Sequence, residues 1–354
     1  MPSLQIEGIA DMLATTLKNL GRFKFTDAAA SLNRYPAFQQ LMRKGHASKY
    51  NNGTAIQWSV MVGAGPAARM TGLYGVDQIS QGDYMKTCSV PWKHLTHNFC
   101  YDRREMAINS GESRILDIIK ARRYAAWLQV AEKLETQFWS IPTVAGDDNL
   151  YGIPYHVVKS STALSSSNTG FTGGHASSQS DWAGQSRTTY TNLRNWAAPY
   201  TNVSKDDLIS SLSDGMDRTH WMPPVEQPAY STGRDYGIYT TLGVRKKMKQ
   251  LAEGQNDNLG VDLDPYNGRV SFRRTPVEWV PKLDSDTDAP LYFLNWSGIH
   301  PAILMSEFMR EQGPTVISGQ HTVFAFYIDL TMNTECWNPR EQGVLSTGTS
   351  GVVS

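Results

Sequence analysis

Cysteine is scarce in this chain. Among 354 residues only Cys88, Cys100 and Cys336 are present, and none of them belongs to a CxxC pair. A disulfide framework needs an even set of cysteines at regular spacings, whereas three scattered ones indicate free thiols. We therefore expect the chain to work in a reducing compartment such as the cytoplasm.

Charge is low and balanced. Charged residues make up 19% of the chain, and Lys+Arg and Asp+Glu number 33 each, so the formal net charge is zero. From a zero balance no general affinity for nucleic acid or for an anionic membrane can be inferred, and a charged partner must be met by a local patch. An uncharged polar surface is typical of a protein that buries much of itself against neighbours.

Long apolar runs are also absent. No stretch approaches the roughly 18 uninterrupted apolar residues that span a bilayer. Near the N-terminus Ile6, Ile9 and Leu13 recur at helical spacing without the continuous apolar core of a signal peptide. We expect a soluble, non-exported chain that is long enough for two modest domains or one elaborate one.

Short β segments dominate the first third. The sequence from Gly45 to Cys100 predicts one long β-hairpin with a first arm from Thr54 to Val62 and a return arm from Asp83. Pro91 within the return arm indicates an edge or a bulge. A hairpin of that length cannot bury its apolar side alone, so it needs a surface to lie on.

A single long helix is predicted from Gly111 to Ser140. Asn109 and Glu112 have the spacing of a capping box, a broad apolar stripe follows, and Pro142 stops it. Such a helix would be about 40 Å long.

The second half mixes short helices and strands. Its predicted elements are a strand in Tyr151–Ser160, a loop from Ser160 to Ser180, a helix starting at Ser204, a strand and a helix ending at Gly254, β segments in Gly268–Asn295, a last strand HTVFAFYIDLTMN, and a Gly/Ser/Thr tail.

Three motifs suggest ligands, but their contexts argue against this. Gly63, Gly65 and Ala68 follow a strand in G-x-G-x-x-A order, yet no helix follows to hold a pyrophosphate, which favours a hairpin tip. His94, His97 and Cys100 lie on a predicted strand, where residues three apart point to opposite faces, so a zinc site is disfavoured. The Asp284–Asp288 segment lacks the glycine and glutamate of a calcium loop and indicates an acidic turn.

The sequence gives no support for catalysis. Asp147 and Asp148 are adjacent and would point apart, and no nucleophile elbow is present. Scattered tryptophans leave one alternative open, a carbohydrate-binding or carbohydrate-active protein, although core or interface anchors are the commoner role. They are Trp182, Trp196, Trp221, Trp279 and Trp296.

The order of these elements resembles the major capsid proteins of tailed bacteriophages, which have the α+β Hong Kong ninety-seven-like capsid fold. Thr54–Cys100 resembles the extended loop of that fold, Gly111–Trp139 resembles its spine helix, and TYTNLRNW with the helices after it resembles its axial domain. The resemblance implies an N-terminal arm (1–45), an extended β-hairpin loop (46–108), a peripheral domain with the spine helix (109–184), an axial α/β domain with a late β segment (185–313), and a return strand with the C-terminal tail (314–354).

The same resemblance implies a function. The chain would assemble as hexamers and pentamers into an icosahedral shell around double-stranded DNA, which the shell contacts without reading its sequence. It would be a structural protein of the virion, assembled in the bacterial cytoplasm, with no catalytic residue, cofactor, metal or membrane. Portal, scaffold and decoration proteins are further expected partners. Since the chain starts at Met1, no cleaved leader is expected. No cross-linking between subunits is expected either, because the sequence does not identify the glutamate and asparagine that a loop lysine would need. The alternative within the fold is an encapsulin, a cargo-loading nanocompartment.

Contacts between subunits are predicted at two places. Trp58, Met70, Leu73 and Tyr74 on the extended loop should meet a neighbouring subunit. Trp127 and Trp139 on the spine helix should do so if their faces are not wholly internal. Charged residues in place of Leu73 and Tyr74 are expected to block shell closure without unfolding the subunit.

Overall fold

The computed structural model describes residues 35–43, 46–63, 70, 72–73, 84–108, 112–144, 146–159, 169–176, 179–220, 235–256 and 270–347. Its α-helices are α1 (Pro36–Leu41), α2 (Arg103–Ile108), α3 (Glu112–Phe138), α4 (Ile153–His156), α5 (Ser210–Thr219) and α6 (Leu242–Asn256). Its strands are β1 (Ser48–Tyr50), β2 (Ala55–Met61), β3 (Met85–Pro91), β4 (Lys93–Asp102), β5 (Trp196–Pro199), β6 (Tyr236–Thr240), β7 (Ser271–Phe272), β8 (Thr275–Trp279), β9 (Leu291–Asn295), β10 (Ile299–Leu304), β11 (Arg310–Ile317), β12 (Gln320–Cys336) and β13 (Gly343–Ser346).

The strands form two sheets and a separate hairpin. The first sheet has the order β1-β10-β12-β11, with β4 paired to β12 as well. The second sheet has the order β5-β13-β9-β6-β8-β7 and mixes parallel and antiparallel pairs. Strands β2 and β3 form the two-stranded hairpin. The molecule is therefore a mixed α+β protein, as predicted.

The long helix is confirmed as α3, which has 27 residues from Glu112 to Phe138. It contacts β4 and α1, and its C-terminal half buries Ala126, Val130, Leu134 and Phe138 in the larger core cluster. These four positions are four residues apart, so they form one stripe along the helix. Asn109 of the predicted capping box lies outside the described residues.

The predicted hairpin is wrong beyond Pro91. The chain leaves the hairpin there, and β4 pairs with β12 from Lys93↔Met332 to Asp102↔Val323. Proline has no backbone N–H to continue a ladder, and the 17-residue β12 offers ten partners in regular register. The predicted return arm is thus two strands, β3 in the hairpin and β4 in the first sheet.

Two more predictions are corrected. Tyr151–Ser160 contains helix α4 instead of a strand, and Pro154 lies in the first turn of that helix, where proline is well tolerated. The segment assigned to the tail contains β13, whose four residues are all buried between β5 and β9. In both places the local sequence pattern did not predict the observed element, because packing against strands distant in sequence decides the conformation there.

The helices of the second half are confirmed. Ser204 accepts a hydrogen bond from the Asp207 backbone N–H, and a π-helical turn over Lys205–Ile209 leads into α5. Strand β6 is followed by α6, which ends at Asn256 instead of Gly254. The helices pack on the second sheet, where Trp196, Phe293 and Leu345 lie in the smaller core cluster.

Gly152 gives a direct test of how closely α3 is packed. A Cβ at this position would lie within 2.6 Å of the backbone carbonyl oxygens of Gln137 and Phe138 at the end of α3, and of that of Ser140. Backbone cannot move aside as a flexible side chain can, so we expect G152A to lower the free energy of unfolding by about 1–3 kcal/mol.

Gly243 in α6 provides the matched control, because a Cβ there would have nothing within 4 Å. G243A should be neutral or stabilise the protein by up to about 1 kcal/mol, since alanine is the better helix former. Urea unfolding of both variants checks the pair, and equal effects at the two sites would contradict the close packing at Gly152.

Candidate inter-subunit surfaces

The hairpin β2–β3 is the first candidate surface. Its register runs from Ala55↔Pro91 to Met61↔Met85 without interruption. Alternate residues face inward, and Ile56, Val60, Cys88 and Val90 are buried. The inward face of the hairpin is therefore part of the subunit's own core.

Hydrogen bonds fasten the hairpin to the segment around Ala183. The backbone N–H of Ser89 donates to the carbonyl of Ala183 over 2.9 Å, and the Gln185 amide donates to the Thr87 carbonyl over 2.9 Å. Trp58 packs edge-on against Trp182, with ring centroids 6.1 Å apart. Half-buried Trp58 thus contacts its own subunit, and its prediction as a contact to a neighbour stays untested.

The far end of the hairpin is exposed and apolar. Met61 and Met85 are 51% and 50% exposed and face each other across the hairpin. Beyond them Met70 is fully exposed and Leu73 is 94% exposed. Tyr74 lies outside the described residues. Exposed apolar side chains that lie together are typical of interaction surfaces, and Met70 and Leu73 stay predicted contacts to a neighbour.

The two tryptophans of the spine helix differ. Trp127 is half-buried against the larger core cluster and stays a prediction. Trp139 is only 6% exposed, packs between Tyr239 and Tyr292, and donates its indole N–H to Glu135. Its face is internal because the second sheet covers it, so the condition under which Trp139 was predicted to contact a neighbour is not met in the subunit.

A chain of buried hydrogen bonds lies behind the hairpin. The Trp182 indole donates to Nδ1 of His156 over 3.1 Å, and Nε2 of His156 pairs with the Thr334 hydroxyl over 2.9 Å, which leaves that hydroxyl free to donate to the Tyr151 carbonyl. Burial lowers the pKa of His156 to about 3, so the ring is neutral. One neutral ring with one donor and one acceptor nitrogen satisfies both neighbours.

Arg187 is the centre of the same region and is fully buried. Its guanidinium donates to the His156 carbonyl over 2.7 Å and to the Gly174 carbonyl over 2.9 Å, and it lies 4.8 Å from the Trp182 ring centroid. No carboxylate pairs with it among the described residues. Burial lowers its pKa to about 10, so the group keeps its charge at neutral pH. Nothing in the sequence singled out this arginine.

A second group missed by the sequence, Glu135, holds the segment before β1. This carboxylate of α3 is 1% exposed and accepts hydrogen bonds from the backbone N–H of Phe38 over 2.7 Å and of Ala37 over 3.4 Å. Both donors lie in the first turn of α1, which has no side-chain cap of its own. Burial raises the pKa of Glu135 to about 7.

The candidate ligand sites of the sequence have other roles. Among the described residues no group of three or more His, Cys, Asp or Glu could hold a metal ion. Asp284 accepts from the Leu242 N–H at the start of α6, and Asp286 and Asp288 both pair with Lys159. Gly63 is at the end of the hairpin arm, while Gly65 and Ala68 lie outside the described residues.

Asp147 and three of the tryptophans also have structural roles. Hydrogen bonds from Asn149 and Thr143 hold the pKa of Asp147 well below its usual range. Trp182, Trp196 and Trp296 are at most 1% exposed, so they are core anchors with no face open to a sugar. Trp221 lies outside the described residues. In the described part of the chain, no helix is long and apolar enough to cross a membrane.

Comparison with solved structures identifies the fold. The cyanophage A-1(L) capsid asymmetric unit superposes with a TM-score of 0.65 at 13% identity, covering 97% of this chain and 99% of that chain. The chain has the Hong Kong ninety-seven-like capsid fold. The capsid of the native GTA particle matches with a TM-score of 0.54 at 11% identity, covering 94% and 99% of the two chains.

The same fold also occurs outside virus particles. The SrpI encapsulin complex of Synechococcus elongatus matches with a TM-score of 0.50 at 8% identity, covering 94% of this chain and 95% of that one. No family model matches the sequence. No curated protein matches it either. The capsid fold is thus confirmed by structure at identities too low for a sequence match.

Proposed function

We propose that this chain is a structural shell protein, the major capsid protein of a tailed phage, which assembles with itself into hexamers and pentamers of an icosahedral particle. The exposed apolar end of the hairpin carries the proposal. A folded subunit has no use of its own for Met61, Met70, Leu73 and Met85 in water, but a neighbouring copy could cover them. The capsid fold over nearly the whole chain agrees with this role.

The finer parts of the proposal concern contents and partners. The shell would enclose double-stranded DNA in a virion and contact it without sequence readout, since the chain has no net charge with which to bind DNA strongly. Portal, scaffold and decoration proteins would be the other partners, and assembly would take place in the host cytoplasm. The domain limits that the resemblance implies belong to the same proposal.

Expression of the full chain alone in bacteria tests the assembly. Light scattering behind a size-exclusion column, with negative-stain microscopy of the leading peak, should show capsomers or closed shells. A monomer at every concentration, also in the presence of a co-expressed scaffold, would contradict the proposal.

The contents of the particles separate the two uses of the fold. Packaged nucleic acid favours the phage capsid, whereas a co-purified enzyme favours the encapsulin that the Synechococcus structure represents. The alternative of a carbohydrate-binding protein predicts a monomer whose tryptophan fluorescence shifts with sugar. The buried tryptophans argue against that alternative.

A double substitution tests the hairpin itself. M70E with L73E places two charges on side chains that are 101% and 94% exposed, so the stability of the isolated subunit should stay within about 0.5 kcal/mol. Desolvating two unpaired carboxylates in an interface is costly, so we expect closed shells to be lost. Unfolding curves and negative-stain counts measure the two effects.

Val144 supplies the control, because it is 58% exposed and lies outside the hairpin. V144E should leave shell formation intact. Normal shells from the hairpin double variant would remove this surface from the assembly.

A further inference from the structure

The outer edge of β4 is a feature of the subunit separate from the hairpin. Strand β4 has ten residues and, in the described part of the chain, pairs with β12 alone. The edge of a strand presents unpaired N–H and C=O groups, and natural proteins cover, shorten or block such edges. Here the edge is long and regular.

Two contacts show which peptide groups face outward. The Cys100 carbonyl accepts a hydrogen bond from the Arg122 guanidinium over 2.9 Å, so it points away from β12. On the other side the carbonyl of Ala325, the partner of Cys100, lies against Gly313 of β11. Because bonded and non-bonded pairs alternate in an antiparallel ladder, His94, Thr96 and Asn98 also direct their peptide groups outward.

Beyond Cys100, the outward groups of Thr96 and Asn98 have no partner in the described part of the chain. No described backbone or side-chain group bonds to the N–H or C=O of Thr96 or Asn98. Prolines and bulges, which natural edges use for protection, are also missing between Lys93 and Asp102. The edge is competent to add a strand.

A groove of about 320 Å³ lies between β4 and α3. It is lined by residues 93–97 of β4, by Gln129, Val130, Lys133 and Gln137 of α3, by residues 148–150, and by Met332 of β12. This volume lies at the low end of the roughly 300–1,000 Å³ range of ligand pockets. It suits a short extended segment and not a folded element.

The charge of the groove indicates what that segment carries. Lys93 is 8% exposed, and its ammonium contacts the Asp147 carbonyl and lies 5.6 Å from the Tyr151 ring centroid. In the described part of the chain neither Lys93 nor Lys133 forms a salt bridge, although the Asp148 carboxylate is also in the groove wall. The groove therefore has two ammonium groups and one carboxylate, so one further acidic side chain would balance its charge.

We propose that the outer edge of β4 pairs with an extended segment of a second copy of this chain, which also places a carboxylate beside Lys93 and Lys133. The inference rests on the proposed shell function, because a shell surrounds every subunit with copies of itself. Strand addition supplies backbone hydrogen bonds, and the charged groove sets the register.

Hydrogen exchange of the wild-type chain is the first test, because it needs no variant. In the unassembled subunit the amides of Thr96 and Asn98 should exchange fast, whereas those of Leu95 and His97, bonded to β12, should be protected. In the particle the outward pair should slow by at least about tenfold, and the inward pair should change little. Particles whose Thr96 and Asn98 amides exchange at the subunit rate would overturn this inference alone. Failure to form any particle would overturn the shell function as well.

A pair of variants isolates the edge bonds. T96P removes only an outward N–H, so no bond to β12 is lost, while T96V keeps that N–H. We expect subunits of both variants to fold, and T96P to assemble at least tenfold more slowly than T96V.

A second pair of variants isolates the charge. K133E puts a carboxylate in the groove and should slow assembly, and K120E puts one on the exposed surface of the same helix and should not. Equal assembly rates within both pairs would overturn the proposal, and the exchange data decide the case if T96P fails to fold.

Discussion

Replacing Arg187 with methionine is expected to cost about 3 kcal/mol or more of unfolding free energy. The guanidinium is fully buried and donates to the carbonyls of His156 and Gly174, which have to be desolvated without partners once it is removed. Each buried acceptor left unsatisfied costs about 1–3 kcal/mol, and the contact with the Trp182 ring is lost in addition. Urea unfolding at pH 7 measures the effect.

Arg340 is the matched control for this prediction. Its guanidinium also lies over an aromatic ring, 4.5 Å from the Phe171 centroid, and also makes a hydrogen bond, to Asn192 over 3.2 Å. It is exposed, however, so R340M should cost at most about 1 kcal/mol. Similar losses of unfolding free energy in R187M and R340M would mean that burial does not make Arg187 more important for stability than an exposed arginine.

Lysine at position 187 separates the effect of the charge from that of the planar guanidinium. R187K keeps the charge but replaces a planar fork by a point charge, which cannot span the two carbonyls and stack on Trp182 together. We expect its stability to lie between those of the wild type and R187M. Because the same arginine holds the segment on which the hairpin is docked, R187M should also give fewer closed shells.

The second large effect is expected at Glu135 and depends on pH. Burial raises the pKa of Glu135 to about 7 in the folded chain, against an ordinary value of 4.5. The folded state therefore keeps a proton that the unfolded chain has already released. The contribution of this proton to stability is complete below pH 4.5 and is lost as the pH rises through 7.

The substitution E135Q removes the titration and keeps an oxygen that can accept from the Phe38 N–H. A shift of this size corresponds to about 3 kcal/mol, so E135Q should be more stable than the wild type by about that amount at pH 8. At pH 4.5 the two proteins should have nearly equal stability. Urea unfolding at both pH values gives the comparison, and a difference independent of pH would contradict the buried, titrating carboxylate.

Glu135 is one of several acidic side chains that attach the segment from Pro36 to Tyr50 to the rest of the subunit. It joins the spine helix to α1, and Arg43 just after α1 pairs with Asp235 over 2.6 Å. Ser48 and Tyr50 of β1 donate to Glu335 of β12, which is fully buried. The segment from Pro36 to Tyr50 is thus fastened to three separate parts of the subunit through acidic side chains.

The site was predictable only in part. Apolar residues between two segments of alternating polar and apolar residues indicated a hairpin whose end is not buried. Met70 and Leu73 are exposed in the structure. For Trp139 the sequence allowed only a conditional prediction, because a stripe of apolar residues on a helix does not say whether the covering surface comes from the same subunit. The open edge of β4 could not be foreseen while β4 was taken for part of the hairpin.

The sequence by itself determined the elements whose stability is local. The spine helix follows from a 3.6-residue repeat, the Ser204 cap from a side chain three residues before its N–H partner, and the arms of the hairpin from alternation. The capsid fold could be expected because the order of these elements, a long hairpin followed by one long helix, resembles that of the capsid proteins.

Tertiary structure decided what depends on distant partners. Strand β4 joins β12 more than 220 residues later, β13 is buried between β5 and β9, and the Arg187 guanidinium finds its acceptors on segments that are distant from one another. The physical reason is the same in each case. A strand or a buried charge is stabilised by neighbours that only the folded chain brings together, and no pattern within a short window of sequence contains them.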